Sequence, residues 1–316
     1  MAGVTRGGRA STVERSGLRA WRLPLSWHQA AWAYAFLLVP LAFFLYVRIW
    51  PAIQALNLSV REWNIVGEAR PYVGLANFER LAADSRFGRA LRNTLHYTAV
   101  GVPLQLALGL ALALLLDRIG RLRGLYRAIY FLPYVTPVVA AAWVWQWLYS
   151  PNFGAINWLL ESIGIPGQPF LQSPGQALYA VTAVVLWQNL GFQVVIFLAG
   201  LQSIPRMYYE AASIDGAGAW TMFRRITIPL LNPTIVFSVV IGSLQYLQLF
   251  TQVVNLTFVD QGGPLNSTLT VVLYIYQVAF HSFRMGQAAA ATVVLFAIMM
   301  AVALVQLRLF SRKVEY

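Results

Sequence analysis

Five stretches of this 316-residue chain, 30–50, 94–116, 125–149, 178–201 and 287–310, are each apolar enough and long enough to cross a lipid bilayer. A span takes about 20 mostly apolar residues, because hydrocarbon offers the backbone no water and each helix must satisfy its own N–H and C=O groups. A sixth stretch, 229–254, is more polar but long enough. A further apolar run at 269–283 is too short and reads as an external or re-entrant helix before the last span. Only 11% of the chain is charged and 59% is hydrophobic, where a soluble domain would carry roughly a quarter charged residues. The expected fold is therefore an all-α membrane protein of six transmembrane helices. It comprises a basic tail over 1–29, a membrane domain over 30–310 and a short tail over 311–316.

Orientation follows from the basic residues flanking the spans. With the N-terminus inside, the inner segments hold Arg6 to Arg22, Arg118 to Arg127, Arg206, Arg224, Arg225, Arg308, Arg312 and Lys313. That is roughly twice as many as in the outer loops. A full crossing at 269–283 would place Arg312 and Lys313 outside, which argues for six spans and two cytoplasmic termini. The first outer loop is the exception to the charge rule. It carries Arg80, Arg86, Arg89 and Arg92 beside Glu62, Glu68, Glu79 and Asp84, and is long enough for a small folded cap. The first span has no short apolar core followed by a small-residue cleavage site, and reads as a retained anchor.

Several chemistries are excluded. Cysteine is absent, and His28, His96 and His281 are scattered, so no metal site is expected. The only lysine is Lys313, so no nucleotide-binding P-loop exists. All eleven acidic residues fall in tails, loops or span edges, and no span bears an arginine ladder. Carboxylates at depth mark proton and ion pathways. A stand-alone channel or ion-coupled carrier, against which the lack of deep carboxylates counts, is the alternative reading.

The polar residues left inside are neutral. The fourth span holds Gln188, Asn189, Phe192 and Gln193; the fifth holds Gly242, Gln245, Tyr246 and Leu249, which share one face at 100° per residue. Amides bond hydroxyls and aromatic rings cover C–H surfaces, so the cluster suits a path for a neutral polyol. Each amide taken singly also fits an ordinary interhelical hydrogen bond. Pro133 and Pro137, four apart on one expected helix, favour a kink that serves either gating or packing.

Between the fourth and fifth spans lies YYEAASIDGAGAWTMFRRITIPLLNP, residues 208–233. Ser203 is expected to cap a first helix, Gly216 to end it, and AWTMFRRI to form a second, giving an elbow along the membrane. Tyr208, Ala211 and Ala212 are expected on one side of the first helix, and Trp220, Phe223 and Ile226 against the span ends.

These residues carry a resemblance. E-A-A-x-x-D-G-A, followed by Phe223, Ile226 and Pro229, resembles the EAA loop of binding-protein-dependent ABC importer permeases. YVGLANFERL, AIYFLPYVTP, FLAGLQSIP and GGPLNSTLTVVLYIYQVAF resemble the sugar-importing branch, of maltose and glycerol-3-phosphate type; VDQGGP departs from its usual pattern. The resemblance implies a non-catalytic permease of the bacterial or archaeal cytoplasmic membrane. It implies a second homologous permease, two ATPases that bind ATP and Mg, and an extracytoplasmic sugar-binding protein as partners. This chain itself would bind no cofactor, metal or nucleic acid. Glu210, Ala211, Ala212, Asp215, Gly216, Ile226 and Pro229 would form the ATPase-coupling element. Asn189, Phe192, Gly242, Tyr246 and Leu249 would correspond to sugar-lining positions. Glycerol-3-phosphate or a glycerophosphodiester is the alternative cargo, although the deep spans hold no cation for it.

Overall fold

The computed structural model describes residues 27–64, 70–119, 123–257 and 261–310. Both charged tails, Arg121, Glu68 and the VD of VDQGGP lie outside the described residues. Among the described residues the structure is helical, with isolated β-bridges at Arg61–Tyr72 and Asn64–Arg284. Four helices are long and apolar enough to span a membrane, or up to six if each of two bent pairs counts as one span.

The chain groups into two units, residues 1–52 and 53–316. Helix α1 (Trp27–Ser59) carries a π turn at Leu45–Ile49, and Pro40 lies inside it without ending it. In the second unit, α2 (Ala76–Ala83) is the helix of the expected cap. Buried Asn77 fastens it by donating to the carbonyls of Ser59 at 2.9 Å and Arg61 at 2.8 Å. The Asp84 carboxylate then accepts from the Arg86 N–H and caps α3 (Ser85–Arg118). At 1.5 Å per residue α3 is roughly 50 Å long, well beyond a hydrocarbon core of about 30 Å.

The third apolar run is not one helix. It divides into α4 (Arg123–Val135) and α5 (Val138–Leu148), bent by 93°. Pro133 and Pro137 therefore do not share a helix. Pro137 takes extended ψ and stands as the N-cap of α5, where its missing N–H costs nothing. A short helix α6 (Ala155–Ser162) precedes α7 (Ala177–Ser203). The elbow follows as α8 (Met207–Ile214) and α9 (Ala219–Leu230), with a π turn at Phe223–Thr227. A 65° bend leads to α10 (Asn232–Leu247). The stretch 229–254 breaks again after Leu247, and α11 (Thr251–Leu256) follows as a separate short helix. Helix α12 (Val271–His281) is 11 residues long, and α13 (Met285–Phe310) completes the set.

Helix α7 is the hub, packed most extensively on α3 and α4, while α10 packs on α3 and α13. Missing side chains make these approaches possible. A Cβ on Gly191 would stand 2.0 Å from the Tyr130 carbonyl oxygen. One on Gly101 would stand 2.2 Å from the Tyr246 ring. Buried Ala288, Ala290 and Ala291 give α13 a smooth contact face. One apolar cluster gathers Tyr97, Tyr246, Leu269 and Tyr274, and a second gathers Leu116, Phe197, Leu201 and Leu231 near the elbow. In the first, Tyr274 donates to Asp84 Oδ2 at 2.7 Å and accepts from Gln287. Burial, with the adjacent Asp84 carboxylate, pushes the Tyr274 phenol well above its ordinary range, so this link stays protonated.

Candidate functional site

Two places gather the residues singled out by sequence. The first is the elbow. Helix α8 ends in a two-bond cap: the Ala217 N–H reaches the Ala212 carbonyl at 2.9 Å and the Gly216 N–H reaches that of Ser213 at 3.1 Å. Gly216 closes it at φ +74°, a conformation that a side chain disfavours. Ser203, by contrast, is not a cap. It is the last residue of α7, and its hydroxyl donates back to the Gly200 carbonyl. Helix α8 begins at Met207 without a side-chain cap, because the chain first turns at Ile204 and Pro205.

The faces of α8 also differ from expectation. Tyr208 and Tyr209 turn inward onto the apolar cluster of Leu116, Phe197 and Leu201. Tyr209 pairs its hydroxyl with buried Thr227 of α9 at 3.0 Å, joining the arms of the elbow. The outward face is Met207, Glu210, Ala211 and Ile214, all exposed, with Ile214 at 87%. Their spacing of i, i+3, i+4, i+7 is one helical stripe. Met207 and Ile214 escaped the sequence reading, though that periodicity was available. Asp215, Gly216 and Pro229 are exposed; Ala212 and Ile226 are half-buried. Trp220 lies beside Phe223 at 5.5 Å between centroids but is itself 71% exposed, so it does not seal the span ends. Among the described residues Glu210 has no ion pair. Behind the elbow a cavity of about 780 Å³ is lined by Arg118, Arg206, Tyr209, Trp220 and Phe223. Tyr209→Phe removes only the joint between the arms. It is expected to cost about 1 kcal/mol, read as a lowered melting temperature with the chain still folded.

The second place is a cavity of about 440 Å³ lined by Tyr134, Asn189, Gln245, Gln248, Leu249, Phe250, Thr251 and Gln252. Among the described residues no charged side chain lines it. Gln252 donates to Gln188 Oε1 at 3.2 Å, which ties buried Gln188 to the wall. Phe192 stacks on Tyr134 at 5.1 Å with 19° between planes. Asn189 donates to the Val185 carbonyl of its own helix. Gln245 Oε1 and Gln188 Nε2 are buried with no partner among the described residues.

Three further residues from the sequence reading lie elsewhere. Gln193 is buried against Gly109, Tyr246 is buried over Gly101, and Gly242 faces Val102. The expected common face of Gly242, Gln245, Tyr246 and Leu249 stops with α10 at Leu247. Leu249 sits in the break, where Thr270 donates to its carbonyl at 2.7 Å.

A helical membrane chain with a break-lined amide cavity and an exposed elbow is the outline of a transport permease. Residues 90–316 match the family model described as binding-protein-dependent transport system inner membrane component, and the chain belongs to that family. It is similar to the lactose transport system permease protein LacF of Rhizobium radiobacter, 35% identical over 96% of this chain and 99% of that one. It is also similar to the sn-glycerol-3-phosphate transport system permease protein UgpA of Agrobacterium fabrum, 32% identical over 84% and 90%. Among solved structures, it resembles a chain of a bacterial alginate ABC transporter in complex with an alginate pentasaccharide-bound periplasmic protein. That match has TM-score 0.78 and 26% identity, covering 89% of this chain and 94% of that chain. The chain is the membrane component of a binding-protein-dependent transport system.

Proposed function

We propose that this chain is one of two permease subunits of an ATP-driven importer whose cargo is a neutral sugar. The observation that carries the cargo is the cavity lined by Asn189, Gln245, Gln248 and Gln252, with no charged residue among its described lining, in which Gln245 Oε1 is an unpartnered acceptor. A sugar hydroxyl can donate to Gln245, while Tyr134 and Phe250 cover the C–H faces of the ring. The names of the lactose and alginate relatives support a saccharide. The glycerol-3-phosphate relatives keep that ester as the second reading, against which stands the absence of any cation among the described residues that line this cavity.

In this reading six spans, with both termini in the cytoplasm, place the elbow inside. An extracytoplasmic binding protein delivers the sugar. Two ATPases hold ATP and Mg, and one grips the stripe of Met207, Glu210, Ala211 and Ile214. Their closure on ATP moves α8 and α9, which are tied together through Tyr209 and Thr227. The 65° bend between α9 and α10 turns that movement into a reorientation of α10, one wall of the sugar cavity. The chain performs no covalent chemistry.

The test is isolation of the intact complex with its co-purifying binding protein, identification of that protein's ligand, and uptake into proteoliposomes. Uptake of a sugar that needs ATP and the binding protein is expected. Flux through the chain alone without ATP would establish a channel or carrier instead. Gln245→Leu is expected to weaken cargo handling by about 3- to 10-fold, the worth of one hydrogen bond. ATP hydrolysis stimulated by the loaded binding protein should persist in that variant.

A further inference from the structure

The outer-loop arginines that run against the charge rule include Arg89 and Arg92, and the structure gathers them. With His96 they lie at i, i+3 and i+7 along one face of α3, where its apolar run begins at residue 94. They line a cavity of about 430 Å³ together with Ser267, Tyr179 and Asn93. Among the described residues no carboxylate lines it. Arg89 spends one N–H on the Leu265 carbonyl, and Asn93 spends its amide on the carbonyls of Asn266 and Leu269. Arg92 has no hydrogen bond or ion pair among the described residues. His96 Nε2 and Ser267 Oγ are buried and have no partner among the described residues, and the His96 ring is held edge-on to Tyr179 at 5.5 Å.

Two guanidinium groups repel one another, and two buried polar atoms without partners are costly. One ligand relieves both: an anion with several acceptor oxygens, which pairs with the arginines and takes hydrogen bonds from Ser267 and His96. The volume falls within the usual range of small-ligand pockets. We propose that this cavity binds a phosphate-type oxyanion. The same chemistry is offered by the headgroup of an anionic phospholipid and by phosphate in solution. The position at the end of an apolar run, with Tyr179 57% exposed beside it, lies at the level where lipid headgroups meet the hydrocarbon. This site is separate from the sugar cavity and does not rest on the cargo assigned there.

The test uses the intact complex in nanodiscs of phosphatidylcholine, with phosphatidylglycerol or inorganic phosphate titrated in. Melting temperature and lipid retained in native mass spectrometry are the readouts. One of the two anions is expected to raise the melting temperature saturably. Arg92→Gln should require several-fold more anion, and Arg92→Gln with His96→Gln about tenfold more. Arg284→Gln, outside this cavity, should titrate as the parent. Stabilisation by phosphatidylglycerol alone assigns the lipid, and stabilisation by phosphate in phosphatidylcholine nanodiscs assigns the soluble anion. Arg92 supports no described contact, so its single variant keeps the test valid if the double variant unfolds. No saturable shift with either anion, or identical titrations for parent and Arg92→Gln, overturns the proposal.

Discussion

Glu210→Ala should abolish ATP-driven uptake while leaving the chain folded and inserted. The carboxylate projects from the outward stripe of α8 and supports nothing in the fold: among the described residues it has no ion pair. Its removal therefore has little reason to disturb the bundle. If a basic group of an ATPase covers it, the variant leaves that cation buried and unpaired. Such truncations cost about 2–5 kcal/mol, or at least about 30-fold in docking affinity. Two measurements check this together. The purified variant complex should lose ATPase subunits on dilution, and loaded binding protein should no longer stimulate hydrolysis. Ile214→Asp should reproduce the loss from the apolar side of the same stripe, since it places a charge where an 87% exposed isoleucine awaits cover. Normal stoichiometry and stimulated hydrolysis in Glu210→Ala would remove this face from the coupling scheme.

Half of this face, Glu210 and Ala211, is legible in sequence, and the part that is not has a definite cause. Gly216 announces its positive φ because few other residues tolerate it. The direction of Tyr208 is not legible in sequence, because it depends on how the turn at Ile204 and Pro205 folds α8 back on Phe197 and Leu201 and on Leu116 of the distant α3. The membrane helices behave alike. Length and apolarity located α3, α7 and α13, each satisfying its own backbone in a single rod. The third run hid its 93° break in plain residues: two prolines show that a helix is weakened, not which hydrogen bonds will be given up. The end of α10 at Leu247 has no proline or glycine beside it at all. There the chain leaves the helix where Thr270, far along the sequence, supplies a donor for the Leu249 carbonyl. That break takes Leu249 off the helical face it was expected to share and places it in the cavity wall with Gln248 and Thr251. The cavity was thus half visible: its amides could be counted, but the bends that make them converge are tertiary.

Gly191→Ala is expected to be among the most damaging single-methyl changes in the bundle, and Gly242→Ala among the mildest. Both glycines lie in helices that wall or adjoin the amide-lined cavity, so composition alone does not separate them. Geometry does. At Gly191 the new methyl would stand 2.0 Å from the Tyr130 carbonyl oxygen and 2.8 Å from the Phe131 Cα, backbone atoms of α4 that have no rotamer to change. Helices α4 and α7 would have to separate. At Gly242 the nearest atoms are the Val102 methyls at 3.8 and 3.9 Å, ordinary contact. Overpacking costs about 1–3 kcal/mol even where side chains can yield, so a clash with backbone belongs at or above the top of that range. Melting temperatures of the two purified variants should differ by several degrees, with Gly242→Ala close to the parent. The effect on transport should exceed the effect on stability, because the displaced helix carries Tyr134, whose stack on Phe192 and place in the cavity wall depend on that approach. Equal melting temperatures, or a Gly191→Ala variant that transports normally, would mean that α4 and α7 lie further apart than Gly191 and Tyr130 require.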